Sequence, residues 1–83
     1  MDELFKRLDR AEKHIATVKN KVFRRDLLKM VKTIDVAIVA ADMESVECRR
    51  VHKETPRYRE LVKKTEDLLT NLEQHITLAN LLG

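Results

Sequence analysis

Turn-forming residues are nearly missing from this chain: its 83 residues include one glycine, Gly83, and one proline, Pro56. Sandwiches and barrels need turn signals about every 8–12 residues, so this scarcity excludes them. Tryptophan is absent and the aromatics are Phe5, Phe23 and Tyr58, so a core must be aliphatic and ring platforms for nucleic-acid bases are scarce. One cysteine, Cys48, rules out an intramolecular disulfide. The opening MDELFKRLDRAEK is charged throughout, and no uncharged run approaches the roughly 20 residues that cross a bilayer. The expectation is a chain without a transmembrane segment in a reducing, cytoplasmic setting. No phosphate-cradling glycine loop and no set of convergent polar groups is visible, so neither catalytic residues nor a metal or other cofactor is expected.

What is present points to helix. Charged residues make up 37% and apolar residues 43% of the chain, a balance that suits amphipathic helices in one domain, residues 1–83. The net charge is +3, but the signs come in blocks. Residues 1–34 carry ten bases and five acids, and residues 35–47 carry four acids and no base. Residues 48–64 then carry seven bases and two acids, and 65–83 three acids and no base. Such blocks can neutralise one another when helices fold back.

The stretch from Phe23 to Ala41 organises the rest. Phe23, Leu27, Met30 with Val31, Ile34, Ala37 with Ile38, and Ala41 form one helical stripe. Leu28, Val36, Val39 and Val46 form a second strip roughly opposite. Val36 to Val39 could also read as a buried strand, but no other segment offers a branched or alternating run to pair with it, so helix is the better reading unless two copies pair edge to edge. A helix that is apolar on two faces must be covered on two faces. The stripe can be continued through Ser45, Cys48 and His52, giving one helix over about 23–54; a break with Asp42 capping a short helix from Met43 is the alternative.

Before it, Leu4, Leu8, Ala11, Ile15, Val18 and Val22 recur at helical spacing, with Asp2 as a cap, and predict a helix over about 2–20. The pairs Asp2–Lys6, Glu3–Arg7 and Asp9–Lys13 stand at the spacing that lets acids meet bases on a helix face. The stripe jumps phase between Val22 and Phe23, and Asn20 is suited to end a helix in the left-handed region, so a tight turn is expected near Lys19–Val22. After it, Thr55-Pro56 is an N-cap followed by proline at the first helical position. A last helix over about 56–82 follows, with Tyr58, Leu61, Val62, Thr65, Leu68, Leu69, Leu72, His75, Ile76, Ala79 and Leu82 on its stripe and Gly83 as its stop. The expected fold is all-α: an antiparallel bundle of three main helices, completed by dimerisation.

Several side chains could carry chemistry. Cys48 and His52 are four apart, and Arg49 and Arg50 would favour a thiolate. Two such residues do not make a zinc site, His14 and His75 bear no spacing relation to them, and both fall on the apolar stripe, where cysteine packs as a small hydrophobe. His75 is expected partly buried at a seam edge or as a register-setting polar residue in an oligomer, Asp35 solvent-facing or paired with a lysine, and Met30 and Met43 by default in the packing.

Two surfaces remain. Leu28, Val36, Val39, Met43, Val46, Leu78, Leu81 and Leu82 are expected to form a surface for a protein partner or for self-association into a homodimer or higher oligomer. Arg24, Arg25, Arg49, Arg50, Lys53, Arg57, Arg59, Lys63 and Lys64 gather around the two turns and could contact phosphates or an acidic partner. The turns lack the glycine pattern of a helix-turn-helix, so sequence-specific DNA reading is not expected. The sequence reads best as a small non-enzymatic regulator or adaptor acting through helical surfaces, with a nucleic-acid-binding accessory protein as the alternative.

Overall fold

The computed structural model describes residues 2–82, and Gly83, the expected helix stop, lies outside them. Three helices, α1 (Asp2–Ile15), α2 (Lys21–Val51) and α3 (Pro56–Leu82), follow one another in an up-down-up bundle. No strand occurs among the described residues, so the 36–39 run is helical. α2 passes through Asp42 without a break. The bundle is a rod with extents of 48 × 17 × 15 Å.

The core follows the stripes. Leu4, Leu8, Ala11 and Ile15 from α1, with Val18 beyond it, meet Leu27, Val31, Ile34 and Ile38 from α2 and Leu69, Leu72, Ile76 and Ala79 from α3. Each large aliphatic side chain so buried contributes about 1.5–3 kcal/mol. Among the described residues Thr65 is the one buried polar side chain, and its hydroxyl donates to the Leu61 carbonyl at 2.7 Å, so its burial leaves no hydroxyl proton unpaired.

The helix ends differ from the sequence expectation, each for a local reason. α1 stops at Ile15, five residues early, and the connection runs over 16–20. Asn20 does not end α1. It caps the start of α2, in an extended conformation, with its side-chain oxygen accepting from the Val22 and Phe23 amides at 2.9 and 3.1 Å. Val22 therefore belongs to α2, where its angular position takes it out of the core, and it is exposed. Arg24 ties the connection down by donating to the Val18 carbonyl at 3.3 Å. At the other end α2 closes at Val51, because His52 enters the left-handed region (φ 59°) and its amide turns back toward the Arg49 and Cys48 carbonyls. The Thr55 hydroxyl accepts from the Tyr58 amide at 3.2 Å, as its N-cap reading requires.

Charge sorts the helices as well. On its α2 side, α1 sets Glu12 in a hollow with Arg25, Lys29 and Lys32. On its α3 side Arg7 binds Glu73 through two contacts at 3.0 and 2.6 Å. Of the expected pairs along α1, Asp9–Lys13 forms at 3.3 Å. Arg7 does not turn to Glu3, since a bidentate carboxylate on another helix is the stronger partner.

Candidate functional site

The eight apolar residues expected to form one surface are all exposed, but the fold divides them. At about 100° per residue, Val36, Val39, Met43 and Val46 fall within about 80° of one another on α2, and their centre lies about 140° round from the buried row. Val36 and Met43 are 69% and 70% exposed and Val46 58%, so among the described residues this strip is left uncovered, and Met43 is not a packing residue of the bundle. Leu28 continues it toward the start of α2, beside α1, in the hollow that holds Glu12.

Leu78 and Leu82 belong elsewhere. With Ala79 they form one wall of a trough whose other wall is Phe23, Leu27 and Met30, with Asp26 and His75 at its edges. Here α2 and α3 lie side by side on the face away from α1. Leu81 is 77% exposed on the last turn of α3 and is not among the residues lining that trough. The trough was not legible as a site, because Phe23 and Met30 read as ordinary members of the core stripe. The signal that would have found it is length: α1, at about 21 Å, covers one flank of a α2–α3 pair about 40 Å long.

The basic residues around the second turn are brought together, and several are already engaged. Arg50 binds Glu47 on its own helix. Arg59 reaches Glu54 at 3.3 Å, and Arg57 reaches Glu44 at 3.6 Å. Glu44 is the more buried member, its side chain only 18% exposed, and it also accepts from the Thr55 hydroxyl at 2.9 Å. Arg49 shares a hollow with Asp2, Glu3 and Asp42. Lys53, Lys63 and Lys64 stand exposed. Near the first turn Arg25 is exposed and Arg24 is half-buried.

The Arg50 guanidinium hydrogen-bonded to Glu47 holds that carboxyl below the usual carboxylate range, and Glu73 is lowered in the same way by Arg7. Both partners are surface groups, and these shifts describe ion pairs at helix flanks.

Cys48 and His52 do not form a dyad. His52 has left the helix at its C-cap, so the spacing of four no longer places the two on one face. The half-buried Cys48 sulfur accepts from the Thr55 amide at 3.5 Å and lies 3.7 Å from the Thr55 hydroxyl, which makes it part of the elbow's packing. His75 is exposed, not partly buried: it sits at the trough edge, with Nδ1 2.7 Å from the Asn71 carbonyl oxygen. Asp35 is solvent-facing, as expected. Among the described residues no group of three or more His, Cys, Asp or Glu side chains is placed to hold a metal ion, and no helix is long and apolar enough to cross a membrane.

Comparison with family models, with curated proteins and with solved structures finds no match for this chain.

Proposed function

We propose that this protein is a small non-enzymatic adaptor or regulator that works by docking helical surfaces onto a protein partner, and that it also self-associates. One observation carries the reading: the strip of Val36, Val39, Met43 and Val46 on the outer face of α2, three of whose members are more than half exposed. Apolar side chains at 3-4-3 spacing are the pattern that receives a partner helix in a groove or seam. Lys32 extends the strip toward the start of α2 and suits a partner with an acidic residue flanking its apolar anchors.

The basic elbow supports a second reading, contact with nucleic-acid phosphates, through Arg49, Lys53, Lys63 and Lys64. It is weaker, because Arg50, Arg57 and Arg59 already have carboxylate partners.

The deciding experiment is affinity capture from the native host with the intact protein and with Val39→Glu and Arg49→Ala/Arg50→Ala variants, at low and high salt. The adaptor reading expects one protein to be retained by the intact chain and by the arginine variant at both salt levels, and lost with Val39→Glu. Nucleic acid that is retained only at low salt and lost with the arginine variant would replace it with the second reading.

A further inference from the structure

We propose that the pole of the rod where α2 begins and α3 ends is a membrane-docking tip, and that its occupant is the headgroup layer of an anionic lipid bilayer. Large apolar side chains gather exposed there: Val22 and Phe23 on the first turn of α2, and Leu78, Leu81 and Leu82 at the end of α3. Phe23 and Leu82 line the same trough, so the two helix ends stand at one height. Leu81 and Leu82, 77% and 75% exposed, are the most exposed large apolar side chains among the described residues. At about 100° per residue, Leu78, Ala79, Leu81 and Leu82 spread over about 160° of the last turn. A helix laid in a groove needs a stripe of only about 100°. An end that is apolar over nearly half its circumference suits entry along the helix axis.

Charge says what meets this pole. Residues 74–82 contain no Asp, Glu, Lys or Arg, and residues 16–26 carry Lys19, Lys21, Arg24 and Arg25 against Asp26 alone. None of these four bases forms an ion pair among the described residues. Arg25 lines the hollow that holds Glu12, and Arg24 is half-buried on the Val18 carbonyl, but Lys19 and Lys21 stand exposed on either side of the Asn20 cap. The elbow pole is the reverse case. Its Arg50, Arg57 and Arg59 are matched by Glu47, Glu44 and Glu54, and no large apolar residue from 47 to 77 is exposed.

A second copy of the apolar pole would set lysines against lysines, with no acid on the end of α3 to receive them, so self-contact here is disfavoured. An anionic bilayer answers both features: the acyl boundary takes the leucines and Phe23, and the headgroups take the bases. Entry is shallow, about 5–10 Å, so interfacial water still reaches the last carbonyls of α3. The rod then stands on the membrane, and the Val36–Val46 strip begins about 20 Å above Val22, clear of the lipid. The inference goes beyond partner docking and does not depend on it.

The test is flotation of the intact chain with vesicles of phosphatidylcholine alone and of phosphatidylcholine with roughly one-third phosphatidylserine, at about 0.05 and 0.5 M salt. Binding is expected on the mixed vesicles at low salt, with little on the neutral ones. Lys19→Ala/Lys21→Ala is expected to weaken it about 25-fold, roughly fivefold for each base. Leu81→Glu is expected to abolish it with the circular dichroism of the parent, since Leu81 belongs neither to the core nor to the trough lining. Val39→Glu and Arg49→Ala/Arg50→Ala are expected to bind as the parent does. An environment-sensitive dye on Leu81→Cys, in a Cys48→Ala background shown by circular dichroism to be folded, is expected to shift to the blue on the mixed vesicles. The same dye on Lys53→Cys is expected to stay unchanged. No binding to the mixed vesicles, equal binding to the neutral ones, parent-like binding by Leu81→Glu, or loss with the arginine variant in place of the lysine variant would overturn the proposal, as would a dye shift at residue 53.

Discussion

Arg7 on α1 and Glu73 on α3, sixty-six residues apart in sequence, meet in a two-point ion pair: Nε donates to Oε2 at 3.0 Å and Nη2 to Oε1 at 2.6 Å. The same Nη2 donates to the Thr70 hydroxyl at 2.9 Å. The contact fixes the height of the short helix against the long one. Hydrophobic stripes alone leave that register loosely set, because a stripe repeats every few residues.

The pair makes acid stability a measurable readout. Hydrogen bonding from Arg7 lowers the Glu73 pKa in the folded state. The stabilisation is then fully present above the unfolded carboxylate value and is lost as pH falls through the lower folded value. Both side chains are partly exposed, so solvent screening keeps the contribution to about 0.5–1 kcal/mol. Thermal unfolding of Arg7→Ala is expected to lie below the parent near neutral pH and to converge with it in acid. A difference that stays constant down to pH values below the carboxylate range would show that Arg7 acts through packing alone.

Asn20 caps the start of α2, with two backbone amides on one oxygen. Asn20→Ala is expected to lower stability by about 1 kcal/mol, and Asn20→Gly by only a few tenths. Denaturant titration measures both; equal losses would point to a role other than capping.

At the opposite elbow, His52 occupies the left-handed region at φ 59°. Glycine adopts that conformation without a side-chain penalty. His52→Gly is therefore expected to raise the stability by up to about 1 kcal/mol, the relief of the left-handed penalty less glycine's greater freedom in the unfolded chain, and so to raise the unfolding midpoint. Lys53→Gly, one residue on and without that backbone angle, serves as the control and should not stabilise.

Ile38 is completely buried on the inner face of α2, and Val39 beside it is 44% exposed on the outer face. Ile38→Ala is expected to cost about 2–5 kcal/mol. Val39→Ala is expected to stay within about 0.5 kcal/mol. If Val39→Ala destabilises the isolated chain nearly as much, the outer strip is not free surface.

Much of this architecture is legible in the sequence, for reasons that particular residues make plain. Thr55-Pro56 marks the start of α3 because both backbone and side chain demand it. The stripe from Leu27 to Ala41 marks the inner face of α2 because only a 3.6-residue period explains it. The end of α1 was not legible: Ala16 and Thr17 are acceptable in a helix, and the bonds that stop it, from the Thr17 and Val18 amides to the His14 and Ile15 carbonyls, are backbone events with no side-chain signature. Asn20 was read at the right place with the wrong role, since asparagine suits a helix end in either direction. The exposed apolar residues were identifiable as a set. Their division between the α2 strip and the trough was not, because it depends on which flank of the α2–α3 pair α1 occupies, and Arg7 and Glu73 settle that at long range.

Three helices, an odd number, also decide where the polypeptide enters and leaves. Asp2 lies at the elbow pole, in a hollow with Cys48 and Tyr58, while Leu82 lies beside Phe23 at the other pole. Whatever is attached before Asp2 and after Leu82 is thus held apart by most of the 48 Å rod. Fluorophores fused at the two ends should report a separation set by the bundle, and copies joined head to tail should lengthen as a stiff string, with the helices acting as a spacer.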